Sequence, residues 1–161
     1  MSKGIMRVYY GEGHGKSTAA FGTAIREASH GKTATVISFL KEKNENGEEL
    51  LKKLEPELKV FRFEKSEVSF DELSDEEKQR ETMNLVSGFN YSKKVITTGG
   101  CDLVVLDEVL ELVNYGIISE NDLVELAAVI PEDMVVICTG RKVPDVIKEC
   151  ADELYQVTLE K

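Results

Sequence analysis

Between an apolar run at residues 5–10 and an alanine-rich segment at residues 17–29 stands Gly11-Glu12-Gly13-His14-Gly15-Lys16-Ser17-Thr18. Alternating glycines let a chain curl so tightly that successive backbone N–H groups point into one hollow, where side chains would obstruct. A strand feeding such a curl, followed at once by a helix, sets that hollow at a helix N-terminus, where anions settle. Lys16 brings an ammonium to the same place, and Ser17 a hydroxyl suited to Mg²⁺. The common pattern places four residues between its first glycine and Gly-Lys-[Ser/Thr]. Here only three separate Gly11 from Gly15, and Tyr10 stands where that pattern has glycine. A glycine-rich turn that binds nothing is the alternative, but a Gly-Lys-Ser-Thr run between strand-like and alanine-rich segments favours phosphate. His14 is either a further donor to that phosphate or an exposed loop histidine.

The rest of the chain alternates β-like and helical patterns. Strands are expected at residues 33–40, 58–63, 103–106, 134–138 and 154–159, the last as an edge. Helices are expected at 17–29, closed by His30-Gly31; at 48–54, ending before Pro56; at 123–129, closed by Pro131; and at 146–151. Ser74 followed by Asp75-Glu76-Glu77 reads as an N-cap with an acidic first turn, opening a helix to about Thr97 with Met83, Val86, Tyr91 and Val95 on one stripe. The acidic stretch 64–79 is either a mobile lid or a solvated helix face. Such alternation predicts an α/β fold, a mostly parallel central sheet with helices on both faces. A length of 161 residues fits one domain, 1–161, with a substantial core.

A second chemical element closes the strand at 103–106. Leu103-Val104-Val105-Leu106 runs into Asp107-Glu108, and a parallel strand delivers its C-terminal residues to the crevice where ligands bind. Two carboxylates side by side there call for a cation, Mg²⁺ or Lys16. The alternative is that Asp107 caps the next helix and Glu108 is simply exposed. A third strand end brings Thr139-Gly140-Arg141 to the same edge, where Thr139-Gly140 shapes a turn. Arg141 either contacts a phosphate or ribose or is an ordinary surface arginine.

Composition narrows the partners. With 20 Lys+Arg against 30 Asp+Glu the formal net charge is −10, which repels nucleic-acid backbones at long range and argues against a general nucleic-acid binder. No apolar run reaches the length of a membrane span, and residues 1–5 lack a signal-peptide hydrophobic region. Cys101, Cys138 and Cys150 are widely spaced, as expected of unpaired thiols in a cytoplasmic protein.

Taken in order, these pieces resemble the corrinoid adenosyltransferases. The resemblance is carried by Val8 through Ala24, His30-Gly31-Lys32, Phe39-Leu40-Lys41, Asn46-Gly47-Glu48, Leu103 through Glu108, and Thr139-Gly140-Arg141; the shortened loop spacing belongs to it. Such a chain is expected to have a P-loop NTPase-like (RecA-like) fold and to move the 5′-deoxyadenosyl group of ATP onto the reduced cobalt of a corrinoid, releasing triphosphate. The implied roles are Lys16 and Glu108 in catalysis; Gly11, Glu12, Gly13, His14, Gly15, Lys16, Ser17, Thr18, Lys41, Arg141 and Phe70 in substrate binding; and Ser17, Asp107 and Glu108 at Mg²⁺. Relatives of this type usually carry lysine at His14, threonine at Ser17, and aromatic residues, including a tryptophan, near the lower face of the corrin ring. This chain has no Trp, and Phe70 is the nearest positional candidate. Also implied are a homodimer and a separate reductase for the cobalt. The other readings are a family member that binds ATP in a regulatory or carrier role without transfer, and an ordinary P-loop ATPase or kinase.

Overall fold

In the computed structural model, which describes residues 3–40, 45–63 and 68–161, the apolar runs pair into one sheet. Its strands are β1 (Ile5–Tyr10), β2 (Ala34–Ser38), β3 (Leu58–Arg62), β4 (Leu103–Asp107), β5 (Val135–Gly140) and β6 (Glu153–Gln156). All pair in parallel, in the order β3-β2-β4-β5-β1-β6. The crossovers carry α1 (Lys16–Ser29), α2 (Glu45–Lys52), α3 (Asp75–Thr98), α4 (Val109–Asn114), α5 (Glu120–Ala128) and α6 (Asp145–Cys150). Parallel neighbours need such long returns. Every residue of β2 and β4 is buried, which explains why their sequences run apolar without alternation.

Alternate strand residues serve two cores. Val36, Leu103, Val105 and Ile137 pack with Ala20 and Ala24, both fully buried on α1. Alanines one turn apart let this helix lie close on the sheet. Ile37, Val104, Leu106, Val136 and Cys138 turn the other way, into a core with Leu85, Phe89 and Ile96 of α3, Leu110 and Leu112 of α4, and Leu123 of α5. The three cysteines are free thiols, and burial pushes that of Cys138 up to about 12.

One expectation needs correction. The buried face of α3 runs through Leu85, Gly88, Phe89, Ser92 and Ile96, while Met83 on the expected stripe is 73% exposed. A stripe drawn through large apolar residues overlooks Gly88 and Ser92, which are core positions because they are small. Residues 75–79 are the capped first turns of α3, whose Ser74 and Glu77 form a reciprocal capping box, and Phe70–Glu72 form a 3₁₀ turn. Of the two readings of 64–79, the structure shows a solvated helix face over 75–79, and residues 64–67 lie outside the described residues. The helix after Asp107 has Glu108 at its N-cap position, without a side-chain capping bond, and Asp107 is the last residue of β4.

Gly88 yields a direct test. Alanine raises intrinsic helix propensity by about 1 kcal/mol, but its Cβ would stand 2.6 Å from Phe63 Cγ and 2.9 Å from Phe63 Cβ. Those atoms sit at the root of the ring, so relief requires moving the chain leaving β3, and overpacking of about 1–3 kcal/mol dominates. Gly88→Ala is expected to lower the thermal midpoint. Gly22→Ala, on α1 with no atom within 4 Å of the added Cβ, should raise it in the same denaturation series.

Candidate functional site

Sheet order places β5 between β1 and β4, so three strand ends converge. Tyr10 pairs with Gly140 and Leu106 with Cys138, which sets Gly11, Thr139 and Asp107 at one edge. Asp107 has no solvent exposure. Its Oδ1 accepts from Ser17 Oγ at 2.8 Å and from Thr139 Oγ1 at 2.9 Å. Thr139 Oγ1 in turn accepts the Glu108 backbone N–H at 2.7 Å. Ser17 and Asp107, each expected at Mg²⁺, lie against one another, a serine on α1 and an aspartate 90 residues later. Thr139, expected to shape a turn, is the bridge between the two carboxylate residues.

Glu108 stands at φ 66°, ψ 20°, the left-handed region. For a non-glycine residue this conformation costs of order 1–3 kcal/mol and collects at functional sites. It turns the chain sharply from β4 into α4, which leaves Glu108 half-buried at the crevice.

The glycine-rich curl behaves as its composition requires. Gly11 has φ 125° and Gly15 φ 112°, conformations that strain other residues. A Cβ on Gly11 would also strike the Val157 carbonyl oxygen at 2.2 Å. The Gly11 N–H donates to the carbonyls of Gly140 and Arg141 at 3.3 and 3.1 Å, and the Gly13 N–H to that of Val157 at 3.2 Å. Lys16 Nζ folds back to donate to the Gly13 carbonyl at 2.8 Å. Lys16, Ser17 and Thr18 form the first turn of α1, whose N–H groups have no partner within the helix. They are the donors left for an anion. Glu12 and His14 are exposed on the loop, and Thr18 is exposed beside them.

Arg141 is not a loose surface arginine, although its side chain is 60% exposed. Its Nη2 and Nε donate to Glu111 Oε2 at 3.0 and 3.3 Å, and its backbone N–H to Glu111 Oε1 at 2.8 Å. Hydrogen bonding to Glu111 is the chief reason its pKa rises, and Glu12 on the loop adds to it. Beyond Glu111 on α4 comes Tyr115, whose ring packs on Phe70 with centroids 4.9 Å apart. The Tyr115 hydroxyl donates to Asp71 Oδ2 at 2.9 Å, and its pKa is pushed up to about 12, first by burial and then by that acceptor. Lys78 Nζ lies 5.9 Å from the Phe70 ring centroid. A path of contacts therefore leads from Phe70 through Tyr115 to Glu111, Arg141 and the loop. Lys41 lies outside the described residues. Glu111, Tyr115 and Val157 were not singled out by sequence. The available signal was weak: Glu111 and Tyr115 are four apart just after a strand end, on a helix too short to show periodicity.

The donor set fits Mg²⁺. Ser17, Asp107 and Thr139 offer only hard oxygen atoms, and Mg²⁺ takes one or two carboxylates with substrate phosphates and water rather than an all-protein cage. Among the described residues no three His, Cys, Asp or Glu side chains gather as a metal cluster.

Residues 2–161 match the family model described as ATP:corrinoid adenosyltransferase BtuR/CobO/CobP. The corrinoid adenosyltransferase of Escherichia coli strain K12 is 32% identical over 155 residues, covering 96% of this chain and 76% of its own. The corrinoid adenosyltransferase CobA of Salmonella typhimurium is 31% identical over 155 residues, with the same coverage. Among solved structures, a KaiC-like protein from Pyrococcus horikoshii OT3 superposes with a TM-score of 0.63 at 15% identity, covering 99% of this chain and 74% of that one. That likeness is one of fold alone.

Proposed function

The chain belongs to the ATP:corrinoid adenosyltransferase family, and from that premise we propose how its residues divide the work. The reaction moves the 5′-deoxyadenosyl group of ATP to the reduced cobalt of a corrinoid and releases triphosphate. Cobalt, the substrate's own metal, is the nucleophile at C5′, so the protein supplies no attacking group. Its tasks are to hold ATP, to neutralise the leaving triphosphate and to keep C5′ in line.

The observation carrying this assignment is the buried junction of Ser17, Asp107 and Thr139 at the mouth of the glycine curl. Lys16 and the first-turn N–H groups of α1 hold the triphosphate, with Gly11, Gly13 and Gly15 giving the curl its shape. Ser17, Asp107 and Glu108 hold Mg²⁺, which supplies countercharge to the phosphates. Glu12, His14, Thr18, Lys41 and Arg141 complete the nucleotide side. Phe70, seated on Tyr115, provides an apolar surface under the corrin ring, where it excludes the cobalt's lower axial ligand and eases reduction. One nucleotide-binding domain over 1–161, cytoplasmic, paired as a homodimer and served by a separate reductase, completes the proposal. No helix among the described residues is long and apolar enough to cross a membrane.

Incubation with MgATP and chemically reduced cobalamin, followed by absorbance and by identification of the phosphate product, tests the reading. Adenosylcobalamin with triphosphate is expected in equal amounts. Orthophosphate or ADP as the product would assign an ATPase or kinase instead, and nucleotide binding without turnover would assign a carrier or regulator.

A further inference from the structure

An exposed arginine samples many rotamers, yet Arg141 is held at three of its N–H groups by one carboxylate. That carboxylate belongs to Glu111, itself only 6% exposed. Oε1 takes the backbone N–H of Arg141 at 2.8 Å, and Oε2 takes the guanidinium. The same turn bears the Gly140 and Arg141 carbonyls that accept the Gly11 N–H. Gly140 also lies tight under α4, where a Cβ would come 2.4 Å from Leu110 Cβ. The end of β5 is therefore gripped between α4 on one side and the first residue of the glycine curl on the other.

We infer that Glu111 is a positioning residue for nucleotide binding: its buried carboxylate fixes the turn at Gly140–Arg141, and through that turn both the guanidinium and the start of the glycine curl. This rests on the assignment of residues 11–18 and Arg141 to the nucleotide. Two effects of Glu111 oppose each other. Its negative charge repels triphosphate and quenches Arg141, while its hydrogen bonds preorganise the turn and so lower the ordering cost of binding. Positioning dominates, because the backbone N–H bond and the Gly11 link persist whatever the guanidinium does.

The variants Glu111→Gln, Glu111→Asp and Glu111→Ala separate the two effects. Glutamine retains an acceptor for the Arg141 N–H and drops the charge; aspartate retains the charge on an arm too short to reach both donors. MgATP affinity by calorimetry is expected to stay within about threefold of the parent for glutamine and to fall by about tenfold or more for alanine, with aspartate between. Amide hydrogen exchange without nucleotide supplies a second reading. The Arg141 and Gly11 amides should stay protected in the glutamine variant and open in the alanine variant, at unchanged protection of β4. If repulsion were the larger effect, glutamine and alanine would both bind more tightly than the parent, and the inference would fall. A merely structural Glu111 would lower the melting temperature while the folded alanine variant bound MgATP normally, which also overturns it. Should alanine not fold, the aspartate and glutamine variants carry the same comparison. If the parent binds no MgATP, the nucleotide assignment fails, and the exchange pattern alone decides whether Glu111 holds the turn.

Discussion

Replacing Lys16 with alanine is expected to reduce adenosyl transfer by about 10²–10³-fold, the usual loss when one donor to developing charge is removed. The molecule is acidic overall, at −10, and the edge proposed to receive the nucleotide carries Asp107, Glu108, Glu111 and Glu12. Without a local cation such an edge repels a polyphosphate, and the repulsion grows as charge accumulates on the departing triphosphate. Arg141 is already engaged by Glu111, and among the described residues the Lys16 ammonium, half-buried and bonded to the Gly13 carbonyl, is the cation mounted in the curl itself. Swinging from that carbonyl to a phosphate exchanges a neutral acceptor for a charged one, a stronger hydrogen bond. Folding should be little affected, because the tether is one local bond worth about 1 kcal/mol net. Lys32→Ala provides the control: its exposed pair with Glu27 at 3.2 Å lies at the far end of α1 and should leave transfer unchanged. Steady-state kinetics with reduced cobalamin, together with thermal melts of both variants, checks this. Transfer by Lys16→Ala at more than a tenth of the parent rate would remove the curl from the reaction.

What could be read from residues alone depended on how local the physics was. The curl was legible because glycines, lysine and serine act there within eight consecutive positions. Asp107 was legible because an apolar strand that ends in acid must deliver that acid to a sheet edge. The helix at 75–98 was legible at its start, where Ser74 and Glu77 cap each other, but not along its buried face, where Phe63 keeps position 88 a glycine. Non-local pairing was hidden. Val157 reaches the curl only because β6 lies beside β1 with Tyr10 opposite Gln156. Thr139 becomes a bridge only because β5 is inserted between β1 and β4. Glu111 is invisible to periodicity on a six-residue helix, and its meaning appears only when the turn after β5 comes to rest against it.

Asp107→Asn should separate activity from stability, and so discriminate a magnesium ligand from a structural keystone. The amide has nearly the shape of the carboxylate, and its oxygen can still accept from both Ser17 and Thr139, which now donate to Oδ1. Thr139 keeps its own acceptor role toward the Glu108 N–H, so the direction of these three bonds survives. What disappears is the negative charge. A fully buried carboxylate carries a desolvation cost, so neutralising it leaves folding stability unchanged or raised. An amide oxygen is a far weaker ligand for a hard divalent cation than a carboxylate. Transfer should therefore fall by about 10²-fold or more, comparable to loss of a principal electrostatic contact, and the response to magnesium should shift to higher concentrations. Thermal melts complete the test by linkage. The parent should gain stability from MgATP beyond that from ATP with chelator, whereas the asparagine variant should show no such difference. If instead the asparagine variant melts earlier and loses transfer only in proportion to its unfolded fraction, Asp107 serves the fold by seating Ser17 and Thr139, and magnesium is held elsewhere.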